Sequence, residues 1–120
     1  MTTSDPVHEI SPNQLPEAIS TYLVAHQARD IDTAVSFYTD DATVVDEGSS
    51  YRGPDRIRDW LRRSAGEYTY TSTLTGAQQV DDEHYVTAHH LEGNFPGGVV
   101  DLRFRFTLRD GRISQLTIKP

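Results

Sequence analysis

The stretch VVDLRFRFTL, residues 99–108, alternates without a break. Val100, Leu102, Phe104, Phe106 and Leu108 fall on one side of an extended chain, and Asp101, Arg103, Arg105 and Thr107 on the other. Successive side chains of a strand point to opposite faces, so this is a strand with one buried and one polar face. Three further segments have the same β-branched and aromatic character: YTYTSTL (68–74), HYVTAHHL (84–91) and RISQLTI (112–118). The turn-forming runs DDE, GNFPGG and RDG separate them, which predicts four strands in meander order. Their shared apolar face needs a cover.

The first half of the chain supplies it. Leu15, Ile19, Tyr22 and Leu23 recur at helical spacing with Pro16 in the first turn, which predicts a helix ending near Arg29. Asp30 is placed to cap a second, short helix through Tyr38, with Ala34, Val35 and Tyr38 on one face. TDDA then turns the chain into a strand, ATVVD (42–46), and EGSSYRG reads as a turn and a short returning strand. Pro54 opens a third helix that buries Ile57, Trp60 and Leu61. Its other face carries Arg56, Arg58, Asp59, Arg62 and Arg63, an ordinary solvated surface. Residues 1–14 are polar with two prolines and read as a loose arm able to order against the body, residues 15–120. Helices first and an antiparallel sheet afterwards make an α+β domain whose curved sheet wraps the helices.

At 120 residues the chain fits one domain. Its net charge of -7 repels phosphate backbones and anionic lipid, so neither nucleic acid nor a membrane surface is an expected partner. The absence of cysteine removes disulfides and thiol chemistry. The amino-terminal residues have no apolar segment of the kind a signal peptide needs, and the reading is a soluble, cytoplasmic protein.

Four carboxylates lie in FYTDDATVVDEG, residues 37–48. Asp40 and Asp41 sit where an acid hydrogen-bonds turn backbone, a structural role. Asp46 shares strand parity with Ala42 and Val44, so it either faces a cavity as a general base or is a strand-end acid satisfied by backbone. Glu47 is expected to point the other way. Tyr22 and His26, four apart on the first helix, both point inward. His89 shares parity with Tyr85, Thr87 and Leu91, leaving His90 outside. Adjacent strand histidines face apart, and no metal or other cofactor is expected.

The order of elements, with ARDIDTAVSFYTDDATVVD, YRGPDRIRDWL and RDGRISQLTI, resembles the nuclear transport factor 2-like superfamily, in particular its SnoaL-like and ketosteroid isomerase-like branch, over roughly residues 15–119. The resemblance implies a cone-shaped fold, three helices packed on a curved mixed or antiparallel sheet that encloses a pocket, and a homodimer through the sheet's other face. It places Asp46 as general base and Tyr22 as donor to a developing enolate, with His26 or His89 assisting. Trp60, Leu102, Phe104 and Leu116 would line the pocket for a small apolar carbonyl compound. Phe104, or on the alternative alignment Arg103, falls where steroid isomerases carry a second, protonated-acid donor, so that half of the oxyanion hole is missing. Asp101 and Arg103 have the spacing of an epoxide hydrolase pair in reversed order and read as a structural ion pair. The implied function is an isomerase or cyclase. A binding or dimerisation module without chemistry is the alternative, because this superfamily hosts both.

Overall fold

The structure, a computed structural model, describes residues 8–120, the side chain at position 65 excepted. After a three-residue strand β1 (His8–Ile10) and one 3-10 turn (Pro12–Gln14) come helices α1 (Glu17–Ala28) and α2 (Ile31–Ser36). Then follow strands β2 (Tyr38–Asp46) and β3 (Ser49–Arg52), helix α3 (Pro54–Glu67), and strands β4 (Tyr70–Gln79), β5 (His84–Gly93), β6 (Val99–Arg109) and β7 (Arg112–Lys119). One open seven-stranded sheet is formed, in the order β1-β4-β5-β6-β7-β2-β3.

The meander β4 to β7 is antiparallel, as its short connections require. β2, however, runs parallel to β7, with Val44 opposite Leu116 and Asp46 opposite Ile118, so the sheet is mixed. The long connection through β3, α3 and the meander makes that parallel pairing possible. The segment expected as a loose arm contributes β1, which pairs antiparallel with the far edge of β4, His8 against Gln79 and Ile10 against Ala77. Residues 1–7 of that arm lie outside the described residues.

Local chemistry fixes the helix ends. Arg29 takes the left-handed conformation (φ 61°) and returns its backbone N–H to the last turn of α1, and Asp30 then accepts from the Thr33 amide to start α2. The second helix stops at Ser36, two residues before the expected end, because Tyr38 already pairs with Ile113 in the sheet. TDDA is therefore strand rather than turn. A register irregularity between Tyr38 and Thr43 absorbs it, and Asp41 is tied there to Arg109 and to the Thr39 hydroxyl. Pro54 follows Gly53 (φ 89°) into α3, as its sequence position predicts.

Ile19 and Tyr22 of α1, Ala34 of α2, and Ile57, Trp60 and Leu61 of α3 are buried against Val44, Phe106, Ile113 and Leu116 of the sheet. Burial along β6 is graded. Phe104, Phe106 and Leu108 are buried, whereas Leu102 and Val100 are only half-buried. The start of β6 is therefore the less covered part of that face. No helix among the described residues is long and apolar enough to cross a membrane.

Candidate functional site

Two adjoining cavities meet at Phe104 of β6. The larger, about 520 Å³, is walled by Asp46, Trp60, Leu102 and Ile118 among others. The smaller, about 370 Å³, lies under α1 against β4 and β5, with Leu15, Leu23, Leu74 and His89 in its walls. His26, Tyr70, Leu91 and Phe104 line both and form the partition.

Asp46 reaches the cavity because β2 ends there. The two-residue loop Glu47–Gly48 has positive φ at both positions (53° and 79°), the geometry of a tight hairpin turn, and it turns the chain back into β3 with Ser49 opposite Asp46. That turn breaks the alternation of the strand. Glu47, expected to point away, consequently lines the same cavity as Asp46, at its exposed edge. The Asp46 side chain is fixed from α3: the Trp60 indole N–H donates to Oδ2 at 3.0 Å. Trp60 is in turn stacked on Tyr51 (centroids 6.2 Å apart, planes 28° apart), and the Arg63 guanidinium covers the Tyr51 ring at 5.2 Å.

Tyr22 is fully buried but lines neither cavity. Its phenolic oxygen accepts a hydrogen bond from Tyr38 at 2.6 Å, and its ring packs edge-on against Tyr38 and Phe106. Burial raises the pKa of both phenols well above the ordinary value, so the pair stays neutral. Tyr22, expected as the enolate donor, thus has its hydroxyl engaged by Tyr38 and contributes to neither cavity wall. Leu116, expected in the pocket wall, is also displaced from it. It is fully buried in the core opposite Val44 and Phe106. Trp60, Leu102 and Phe104 do line the larger cavity.

His26 stands one helical turn beyond Tyr22, with the rings of Tyr22, Trp60 and Phe104 5.5–5.9 Å from its own. Its Nδ1 is the one buried side-chain polar atom without a hydrogen-bond partner among the described residues. Burial first, and the nearby His89 second, push its pKa down to about 4. His89 is 6% exposed; its Nε2 lies 2.7 Å from the Thr87 hydroxyl and its ring 4.4 Å from that of Phe104. Burial lowers its pKa to about 4 as well. Both imidazoles are therefore neutral at pH 7, able to donate or accept a hydrogen bond without carrying charge.

His90 faces outward as its parity predicts, held by Asp101 at 2.7 Å and Glu92 at 3.2 Å, and these carboxylates raise its pKa. Asp101 is thus the cross-strand partner of His90, not of Arg103, because the register sets His90 directly opposite Asp101. That acid lies on the outer face of the sheet, outside both cavities.

Tyr70 was not singled out by the sequence. It shares strand parity with Ser72 and Leu74, and the register sets Ser72 against Leu91 and Leu74 against His89, which places all three on the cavity side. The alternation in YTYTSTL carried that signal. Burial raises the Tyr70 pKa, an effect opposed by Arg29 and reinforced by the Asp46 charge. No lysine or arginine is among the lining residues of either cavity, while Asp46, Glu47 and Glu67 edge the larger one, so the chamber disfavours anions. No group of three or more histidine, aspartate or glutamate side chains among the described residues is arranged to hold a metal ion.

The fold is shared with known structures. A candidate polyketide cyclase from Sinorhizobium meliloti superposes with a TM-score of 0.85 at 29% identity, covering 92% of this chain and 100% of its own. A protein with a ketosteroid isomerase-like fold from Catenulispora acidiphila, in complex with trimethylamine, gives 0.78 at 18% identity over 89% of this chain and 87% of its own. An LEH-like epoxide hydrolase from M. tuberculosis gives 0.69 at 24% identity over 86% and 79%. The chain matches none of the curated proteins. The family model described as the SnoaL-like domain matches residues 19–116. Because that match covers well over half of the chain, the chain belongs to the SnoaL-like family, within the nuclear transport factor 2-like fold.

Proposed function

We propose that this protein is a cofactor-independent enzyme of the isomerase or cyclase type that moves a proton next to the carbonyl group of a small, largely apolar, uncharged compound. One observation carries the reading. Asp46 is a half-buried carboxylate in the wall of the larger cavity, with one oxygen held by Trp60 and no cationic side chain among the lining residues to neutralise it. A carboxylate so placed can take a proton from the carbon beside a bound carbonyl, leaving an enolate, and then return it to another carbon; alternatively the enolate carbon closes a ring on a second carbonyl carbon of the same molecule, whose C=O π bond opens and whose oxygen takes the proton.

The enolate oxygen needs a hydrogen-bond donor in a dry setting. His26 is better placed than Tyr22. It lines the same cavity as Asp46, and because its Nδ1 is buried without a partner, Nε2 is the nitrogen left to carry the proton toward a ligand. The similarity to the S. meliloti protein supports a cyclase-type role. A second reading, a binding module without turnover, is favoured by the Tyr22–Tyr38 hydrogen bond, which commits both phenols to each other.

Deuterium uptake separates the two. With a panel of cyclic ketones and enones in D₂O, the wild type is expected to exchange the hydrogens next to the carbonyl, and Asp46→Asn to lose that exchange by a factor of at least about 10². Equal exchange in both proteins removes Asp46 as the base, and none in either alongside saturable ligand binding leaves only the binding module.

A further inference from the structure

The smaller cavity is not needed by the proton transfer just described, yet it is the more elaborately prepared of the two. Leu15, Leu23, Leu74 and Leu91 give it oily walls, and the His89 imidazole is set among them. A buried imidazole is costly unless both nitrogens have partners. Nε2 of His89 has one, the hydroxyl of Thr87; Nδ1 makes no hydrogen bond among the described residues and, unlike Nδ1 of His26, is not shut off from solvent, so it is the nitrogen open to a ligand.

The residue two places back on the same strand decides which nitrogen carries the proton. Thr87 is completely buried, and its hydroxyl has no other hydrogen-bond acceptor among the described residues. The hydroxyl therefore spends its proton on Nε2, which must be the bare nitrogen, and the ring proton is left on Nδ1. His89 thus offers one uncharged N–H donor inside an apolar chamber. An uncharged donor has no preference for a carboxylate strong enough to offset desolvation, whereas it satisfies a carbonyl or ether oxygen at little cost.

We infer that the smaller cavity is a specificity subsite for the far end of an elongated substrate, and that His89, set by Thr87, recognises an uncharged oxygen acceptor there. The orientation rests on the proposed reaction at Asp46; the subsite itself does not. Because His26, Tyr70, Leu91 and Phe104 are common walls, one molecule can lie across the partition. The substrate class that fits is an apolar compound with two separated oxygen functions, one presented to Asp46 and one to His89.

The test uses 1-tetralone and its parent hydrocarbon tetralin, which share a shape and differ by the oxygen. Binding is followed by NMR titration, reading the imidazole nitrogens of His89 and the indole N–H of Trp60, the chain's single tryptophan. The ketone is expected to bind about five- to tenfold more tightly than the hydrocarbon and to shift the His89 Nδ1 resonance. His89→Phe, which keeps the ring contact with Phe104, is expected to erase that preference. Thr87→Val keeps the shape but frees the proton to move to Nε2; it is expected to weaken the ketone preference while the corresponding alcohol, which can also donate, still binds. Asp46→Asn is expected to leave the preference intact, so loss of proton exchange and loss of the subsite are read separately. Equal affinity for ketone and hydrocarbon in the wild type, absence of saturable binding, shifts confined to Trp60, or a ketone preference undiminished in both His89→Phe and Thr87→Val each overturn the inference.

Discussion

The indole N–H of Trp60 donates to Oδ2 of Asp46 across 3.0 Å, joining the middle of α3 to the last residue of β2. The helix thereby sets the direction of the one strand-end carboxylate that the reaction would use. Trp60 acts through Asp46 rather than on the substrate, which makes it a positioning residue. Trp60→Phe preserves a ring against Tyr51 and removes the donor. It is expected to lower kcat about tenfold with a smaller change in KM, and steady-state kinetics on a ketone that exchanges deuterium would check this. A rise in KM alone would assign Trp60 to binding.

Tyr22 and Tyr38 make a contrasting prediction. Tyr22→Phe removes one member of a fully buried hydroxyl pair and leaves the Tyr38 hydroxyl without its partner. It should cost about 1–3 kcal/mol in a denaturant titration and leave turnover within a few-fold of the wild type. Turnover that collapses with stability unchanged would return the enolate-donor role to Tyr22.

Leu116 and Leu102 differ in the same way. Leu116 is fully buried with no cavity surface, so Leu116→Ala should destabilise by about 2–5 kcal/mol. Leu102 is half-buried in the wall of the larger cavity, and Leu102→Ala should weaken ligand binding more than it lowers the melting temperature. Thermal melts and Trp60 fluorescence titrations on the two variants measure both quantities.

Acid sensitivity follows from His26 and His89. Both are held neutral in the fold, with pKa values near 4 against an unfolded value near 6.5. Below about pH 6.5 the unfolded chain binds protons that the folded one refuses, so stability falls as the pH drops toward about 4 and is insensitive to these groups above about 7. For His89 alone the loss by about pH 4 is on the order of 3 kcal/mol. His89→Phe should flatten that part of the stability profile. The carboxylate of Asp41, held near pKa 2 chiefly by Arg109, titrates below this window and does not confuse it.

Much of the site's placement was legible in strand parity. Alternation put Asp46 with Ala42 and Val44, His89 with Thr87, and Phe104 with Leu102, and each of these sits on the face expected. Parity gave the wrong answer at Glu47, where a left-handed turn suspends it. It was also silent about depth: Leu116 and Leu102 both face inward, but only Leu102 lies beyond the cover of the helices.

The sequence by itself determined the three helices and the four strands of the meander with their inward faces, because hydrophobic period and capping chemistry act over a few residues and do not depend on what is packed against them. It also carried enough of the family pattern to mark the SnoaL-like fold. Only the tertiary structure decided that β2 runs parallel to β7, that Tyr22 is hydrogen-bonded to Tyr38 and lines neither cavity, and that two chambers share His26 in their walls. Those outcomes depend on contacts between residues far apart in the chain, and local preference does not encode how far one packed layer stands from another.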